Sequence, residues 1–351
     1  MFDWISDDAL VALIGLASGT LLGLAARIGR FCTLGAIEDM FYGGSTERIR
    51  MWILSIGIAI TGTFALTGLG FMDVSESLYL SIEWVPLASV VGGLTFGYGM
   101  ALSGNCGHGI IARLGGGDMR AFVMMLVMGL SAFVVLSGPL GYLREWLFSS
   151  SPVTGTPPGI AHLLSSMTGL PVATIGIFIG VALSFAALTS REMLDNPKSI
   201  FWSIAVGTAI ISGWAGTYWV ATNGFAAIPV TSHSFSIPVG EAILYAMTAS
   251  ARPLTFGTGA VAGVVLGSVA GSLFKRQFRW EACEDPRELR RQIAGAALIG
   301  AGAVIALGCT IGQGMSAFSV LSYSAPITFL SIIAGAAFGL RQLISGFNPA
   351  I

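Results

Sequence analysis

Charge is what this sequence has least of. Asp, Glu, Lys and Arg together make up 10% of 351 residues, against 54% hydrophobic residues, too few ionisable groups to cover a soluble globule of that length. The net charge of −1 leaves no excess of basic residues for nucleic acid or for a polybasic membrane anchor. There are three histidines, and the four cysteines (Cys32, Cys106, Cys283 and Cys309) form no CxxC pair, so no zinc site and no thioredoxin-like redox pair is recognisable. No metal, cofactor or enzymatic role is therefore expected. The acidic start "MFDWISDD" lacks the basic n-region of a secretory signal, so the first apolar run is expected to be retained.

What the sequence has is long uncharged runs, with a mean hydropathy of +0.81. They read as an all-α integral membrane protein with about nine transmembrane helices: Leu10–Ala26, Met51–Phe71, Pro86–Gly104, Ala121–Leu140, Pro171–Ser190, Ser199–Thr222, Leu254–Phe274, and two crossings within Gln292–Leu340. Alternate loops then sort the basic residues. Arg27, Arg30, Arg48, Arg50, Arg113, Arg120, Arg191, Lys198, Lys275, Arg276, Arg279, Arg287, Arg290, Arg291 and Arg341 fall on one side, and only Arg144 and Arg252 on the other. The positive-inside rule makes the first side cytoplasmic, with a periplasmic N-terminus and a cytoplasmic C-terminus. On the outer side, Gly141 to Leu170 reads as a solvated loop, and His162 and His233 both fall in outer loops.

Two stretches interrupt good helices around a thiol: "SGNCGHGIIARLGGG" at 103–117 and "LGCTIGQGMSAFSVLS" at 307–322. At a constant interval of 203 residues, Gly92 lies over Gly295, Gly97 over Gly300, Gly99 over Gly302, Cys106 over Cys309 and Gly109 over Gly312. The two spans cross in opposite directions, the pattern of an inverted-topology repeat with a pseudo-two-fold axis, in which the substrate path runs between the halves. The expected organisation is a single transmembrane domain over 1–351, with a first half at 1–140, an outer loop and connector span at 141–198 and a second half at 199–351. Laying 223–233 against 29–39 sets Phe225 over Phe31 and Ala226 over Cys32, so the second half has no thiol at that place. Broken backbone at membrane depth is tolerated only where protein or a water-filled cavity satisfies it. The breaks, with Gly104, Gly107, Gly109, Gly308, Gly312 and Gly314, are thus expected to form short re-entrant helices that carry thiols toward the centre.

Taken singly, a free cysteine reads as a small buried hydrophobe. Polar neighbours add a second reading, as a substrate-binding group: Asn105 and His108 around Cys106, Thr310 and Gln313 around Cys309, Thr33 and Glu38 near Cys32. Cys283, in the charged stretch "RWEACEDPRELRR", reads as a dispensable cytoplasmic thiol. Glu241 reads either as an interfacial acid or as an intramembrane carboxylate that couples an ion.

The stretches "GRFCTLGAIED", "GYGMALSGNCGHGIIARLGGG", "EDPRELRRQIAGAALIGAGAVIALGCTIGQG" and "GAAFGL" together resemble the YeeE/YedE family of bacterial inner-membrane sulfur transporters over essentially the whole chain. The resemblance implies thiosulfate or a related sulfur anion as substrate, essential cysteines at Cys32, Cys106 and Cys309, and nine spans with short helices meeting at a narrow waist. Other sulfur or selenium species, a thiol-based membrane sulfur-transfer or redox protein, and a metal or sulfide channel are the alternatives, and a cytoplasmic sulfurtransferase is a possible partner. With no Lys or Arg inside an expected span, a dianion must be met by helix dipoles and by hydroxyl, amide and thiol donors.

Overall fold

The computed structural model describes residues 6–149, 151–153, 155–282 and 285–345; the expectation for Cys283 lies outside them. In chain order the α-helices are α1 Asp7–Arg27, α2 Thr33–Glu38, α3 Glu47–Gly68, α4 Leu78–Ser81, α5 Pro86–Ser103, α6 Gly107–Leu114, α7 Met119–Leu136, α8 Gly141–Leu147, α9 Ile160–Thr168, α10 Val172–Leu188, α11 Arg191–Leu194, α12 Pro197–Asn223, α13 Ser236–Thr248, α14 Phe256–Phe274, α15 Pro286–Ile305 and α16 Ser324–Ser345. A further short helix occupies 310–319, wound as a π-helix over Gly312–Ala317. Among the described residues β-structure is limited to isolated bridges.

Helices lie over all nine of the apolar runs. Seven of them, α1, α3, α5 (measured on through α6), α7, α12, α14 and α16, are long and apolar enough to cross a membrane. Helix α10, at 17 residues, makes an eighth if it is joined to α9 across a 119° bend. Helix α15 is the exception, because Arg287, Glu288, Arg290 and Arg291 occupy its first turns. The chain is a multi-pass helical membrane protein.

Lipid tails are as apolar as leucine, so helices in a bilayer associate by close packing rather than by burial from water. Glycine provides that packing here. A Cβ on Gly92 would lie 2.9 Å from the Gly302 carbonyl and one on Gly302 2.8 Å from the Gly92 carbonyl; Gly99 and Gly295 meet in the same reciprocal way, at 2.7 and 2.6 Å. These four residues bring α5 and α15 into backbone contact. Gly97 abuts α16 at Ile332 and Ala336, and Gly300 abuts α7 at Met128 and Ala132. Elsewhere α1 packs on α14 and α3 on α12, tied by Ser268 Oγ donating to the Gly23 carbonyl (3.4 Å) and Ser55 Oγ to that of Ser203 (3.0 Å).

The segment expected to be a solvated loop is partly folded, with α8 and α9 inside it. Its backbone pairs with the rest of the bundle: Val153 N to Ser81 O at 3.1 Å, Ile160 N to Leu321 O at 2.8 Å and Tyr323 N to Pro158 O at 3.0 Å. A backbone amide left unpaired at a lipid boundary costs several kcal/mol, which explains why serine and proline alone did not make this segment free coil.

Candidate functional site

Four short helices start inside the bundle. Cys32 is the N-cap of α2, Cys106 the N-cap of α6, and Cys309 directly precedes helix 310–319. The fourth start, that of α13, has Phe235 as its N-cap. The alignment that placed Phe225 over Phe31 is therefore corrected. Phe31 is buried, whereas Phe225 is fully exposed at 105%, and no helix begins after Ala226 until Ser236. The chain from 224 to 235 runs non-helically into the core before α13 begins, and Phe235, like Cys32, is the N-cap of a helix.

Each sulfur is held by backbone. Gly109 N donates to Cys106 Sγ at 3.3 Å. Cys309 Sγ accepts from Phe235 N at 3.3 Å and Gly312 N at 3.5 Å, with Ser234 Oγ 3.8 Å away. A sulfur whose lone pairs receive amide protons keeps its own S–H free to donate elsewhere. Cys106 is 1% and Cys309 0% exposed; Cys32 is half-buried, and the Leu34 and Gly35 amides approach its sulfur. Cys106 lies within electrostatic reach of both Cys32 and Cys309, and the Thr310 hydroxyl faces its sulfur without closing a full hydrogen bond.

Beside every one of these starts sits a buried polar atom with no hydrogen-bond partner among the described residues: Thr33 Oγ1 after Cys32, Asn105 Nδ2 before Cys106, Thr310 Oγ1 after Cys309 and Ser236 Oγ after Phe235. Buried polar groups are almost always paired, so these four atoms stand out beside the helix starts. Of the other expected site residues, His108 is the second residue of α6, with Nε2 unpartnered. Gln313 is different. Its Nε2 donates to the Ala306 carbonyl at 2.7 Å and its Oε1 accepts from Ser324 Oγ at 3.1 Å, so both ends of the amide pin the break after α15.

The glycines at the breaks serve geometry. Gly104 closes α5 at φ 72°, a left-handed conformation that favours glycine. A Cβ on Gly312 would lie 2.9 Å from Ser234 Oγ and 3.1 Å from Tyr79 Oη; these two hydroxyls therefore flank the helix start behind Cys309.

A cavity of about 310 Å³ opens at the end of the bundle where α1 begins, lined among others by Tyr79, Ser232, Ser234, Glu241, Phe256 and Leu307. It ends at Ser234, within reach of Cys309. A smaller cavity of about 50 Å³ shares Tyr79 and Leu307 with it. At the other end of the bundle Arg48, paired with Asp39 at 3.1 Å, lies within electrostatic reach of Cys32. Nearby, Arg27 Nε donates to Ser272 Oγ at 2.8 Å and Lys275 Nζ to the Ile28 carbonyl at 2.9 Å.

Sequence reasoning missed Tyr79, Ser234, Phe235, Arg48 and His233. It assigned His233 to an outer loop, but the residue is 0% exposed, in ring contact with Phe235 and Phe256. A segment lacking helical periodicity was read as surface. Its one available signal was composition: "PVTSHSFS" combines small hydroxyl residues with apolar ones, as a buried non-helical path requires.

Apolar helices long enough to cross a membrane, with short helices that start inside their bundle, define a multi-pass membrane protein. The chain belongs to the Sulphur transport family, whose model matches residues 9–338. It is 24% identical over 337 residues to the thiosulfate transporter TsuA of Spirochaeta thermophila, covering 92% of this chain and 96% of that one. It is 25% identical over 336 residues to the Escherichia coli K12 thiosulfate transporter TsuA, covering 92% of each. Over a shorter stretch of 102 residues it is 30% identical to the probable transporter YedE of E. coli K12, covering 28% of this chain and 24% of that protein.

Proposed function

We propose that this protein takes up thiosulfate as a sulfur source across the bacterial inner membrane, through a central path on which Cys309, Cys106 and Cys32 donate S–H hydrogen bonds to the anion in turn. The observation that carries this reading is the set of four internal helix starts, three bearing a thiol and each bearing an orphaned polar atom. The names of the two full-length relatives supply the substrate.

The halves 1–140 and 199–351 are read as an inverted repeat joined by 141–198, with the N-terminus outside and the C-terminus inside. The swapped contacts support it. Gly92 meets Gly302 and Gly99 meets Gly295; Gly97 abuts α16 as Gly300 abuts α7; α1 packs on α14 as α3 packs on α12. A pseudo-two-fold axis makes every such contact occur twice. The 310 Å³ cavity then faces outward and the cluster of Arg27, Arg48 and Lys275 faces the cytoplasm.

Thiosulfate sheds water at the neck of the cavity, where Ser234, the Cys309 thiol and the start of helix 310–319 replace it. Helix starts favour an anion by their dipoles and free amides. Thiols are weak donors, which suits passage, because a conducting site must release what it binds. Asn105, Thr310 and His108 complete the waist, Gln313 holds the break open, and Arg48 draws the anion from Cys32 toward the cytoplasm, where a sulfurtransferase is the natural consumer.

The test is growth on thiosulfate as sole sulfur source in a strain without its own uptake system. The intact chain and Cys283→Ala support growth; Cys32→Ala, Cys106→Ala and Cys309→Ala do not. Failure of the intact, membrane-inserted chain to support growth or radiolabelled thiosulfate uptake overturns the reading. A sulfur-sized mass increment trapped on one of the three cysteines during turnover replaces the hydrogen-bonded relay with a persulfide one.

A further inference from the structure

His108 and His233 come from opposite halves of the chain, yet both are buried, at 2% and 0% exposure, and both pack on the Phe235 ring, with centroids at 5.0 and 6.0 Å. His108 Nε2 and both ring nitrogens of His233 have no well-formed hydrogen bond among the described residues. The Leu22 carbonyl approaches the His108 ring and the Ala209 carbonyl that of His233. Imidazole nitrogens without a full hydrogen bond in a buried interior are costly, and purely structural imidazoles are normally satisfied. A group that repeatedly gains and loses a proton has a reason to stay unpaired.

The geometry points to His108 and His233 as a proton-carrying pair, so that each thiosulfate that crosses is accompanied by a proton; this rests on the transport reading above. Access supports it. Ser232 and Ser234, which flank His233, and Phe256, whose ring lies 5.0 Å from it, all line the 310 Å³ cavity, which has room for several waters. His108 sits on α6, whose last turn carries Arg113, toward the cytoplasmic end. The cavity thus ends at the residues on either side of one imidazole, while the other lies on the helix that leads inward.

Coupling to the anion follows from Phe235. Its amide holds Cys309 Sγ while its ring touches both imidazoles. A dianion at Cys309 attracts a proton onto the nearby rings, and a proton there attracts the anion, by reciprocal linkage. The proton comes from outer water to a ring nitrogen and leaves to inner water with the anion, and no bond in the anion changes. The charged and titratable groups on the surrounding elements are Asp7, Asp8 and Arg27 on α1, Cys106 and Arg113 at α6, Arg120 on α7, Lys198 and Tyr218 on α12, Glu241 and Tyr245 on α13, and Tyr79 and Cys309 beside the cavity; α14 carries none. Glu241 accepts from Thr255 Oγ1 at 3.1 Å at the cavity wall, and is the competing proton carrier. The need is energetic, since a dianion entering a cell held inside-negative works against about 4.6 kcal/mol per 100 mV, and each accompanying proton removes half of that.

The test uses the full chain in proteoliposomes containing a pH dye, with radiolabelled thiosulfate and the membrane potential clamped at zero. For the intact chain, thiosulfate addition acidifies the lumen, and an inward gradient of one pH unit drives about tenfold accumulation per proton. H233Q still exchanges labelled for unlabelled thiosulfate but loses acidification and accumulation; E241Q keeps both. If H233Q loses exchange, H233N is read in its place, and the wild-type lumen signal still decides. Uptake by the intact chain without acidification, unchanged coupling in the histidine variants, or loss of coupling in E241Q alone overturns the inference. Absence of any thiosulfate exchange by the intact chain instead overturns the transport reading beneath it.

Discussion

On the proposed repeat, the two halves place different residues at one of four matching helix starts. In the first half both internal helix starts carry a thiol, Cys32 and Cys106; in the second, α13 starts at Phe235 and only helix 310–319 starts at a thiol, Cys309. The phenyl ring cannot donate to an anion, but the Phe235 amide reaches Cys309 Sγ at 3.3 Å. The second half therefore concentrates on one sulfur what the first half distributes over two. The burial pattern runs in parallel, with Cys309 and Cys106 enclosed and Cys32 half-buried. On the proposed path this asymmetry gives a direction to a nearly symmetric frame: one tightly held thiol below a walled cavity, then two thiols stepping toward an arginine-bearing face.

The frame itself is the first thing to break. Gly99→Leu or Gly295→Leu forces a side chain into a backbone contact of 2.6–2.7 Å, where no flexible neighbour can yield. Overpacking of this kind costs about 1–3 kcal/mol even in cores that relax. The expected outcome is loss of membrane-inserted protein, read by detergent-solubilised yield and thermal unfolding, with Gly155→Leu as the control at a site with open space around it. Near-normal yield of both variants would remove the reciprocal contact from the account.

Next come the thiols. A hydrogen bond to a charged group is worth about 1.5–3 kcal/mol, so Cys309→Ala and Cys106→Ala each lower initial uptake by about ten- to a hundredfold. Cys32→Ala, at a wetter site, lies at the lower end. The fourth place sharpens this: Phe235→Cys restores a thiol where the first half has one, and raises thiosulfate affinity while slowing release, so KM falls and the maximal rate falls with it. Unchanged KM in Phe235→Cys would mean that the α13 start does not face the path.

Much of the frame was legible in the sequence because helices in lipid advertise themselves as uncharged runs, and because glycines at a fixed interval record a repeated backbone contact. Cys106 and Cys309 were legible for the same reason, since each interrupts a run. Phe235 and His233 were not. Their segment has no helical period, and at 24–25% identity over most of the chain to the relatives nothing in the string distinguishes a buried non-helical path from a surface loop; only the fold shows that 224–235 turns inward. Gln313 was legible as polar but not as occupied, because its partners, the Ala306 carbonyl and the Ser324 hydroxyl, come from the two sides of a break whose shape the sequence does not state. Arg48 was read for topology alone, as one of many basic residues on one side, and its approach to Cys32 depends on the turn between α2 and α3.

Arg48 yields the smallest effect and the finest test of the asymmetry. It is 27% exposed as a side chain and already paired with Asp39 at 34%, so its field at Cys32 is shared and screened, and exposed pairs of this kind contribute about 0–1 kcal/mol. Arg48→Gln should then lower uptake only about two- to fivefold. The loss should shrink as ionic strength rises, because salt screens the wild-type attraction over about 10 Å at 0.1 M. Asp39→Asn, which removes the competing carboxylate, should move uptake the opposite way by a similar factor. Measuring both variants at low and high salt separates an electrostatic pull at the exit from a merely structural pair, since a structural pair would make both variants worse and leave the salt dependence unchanged.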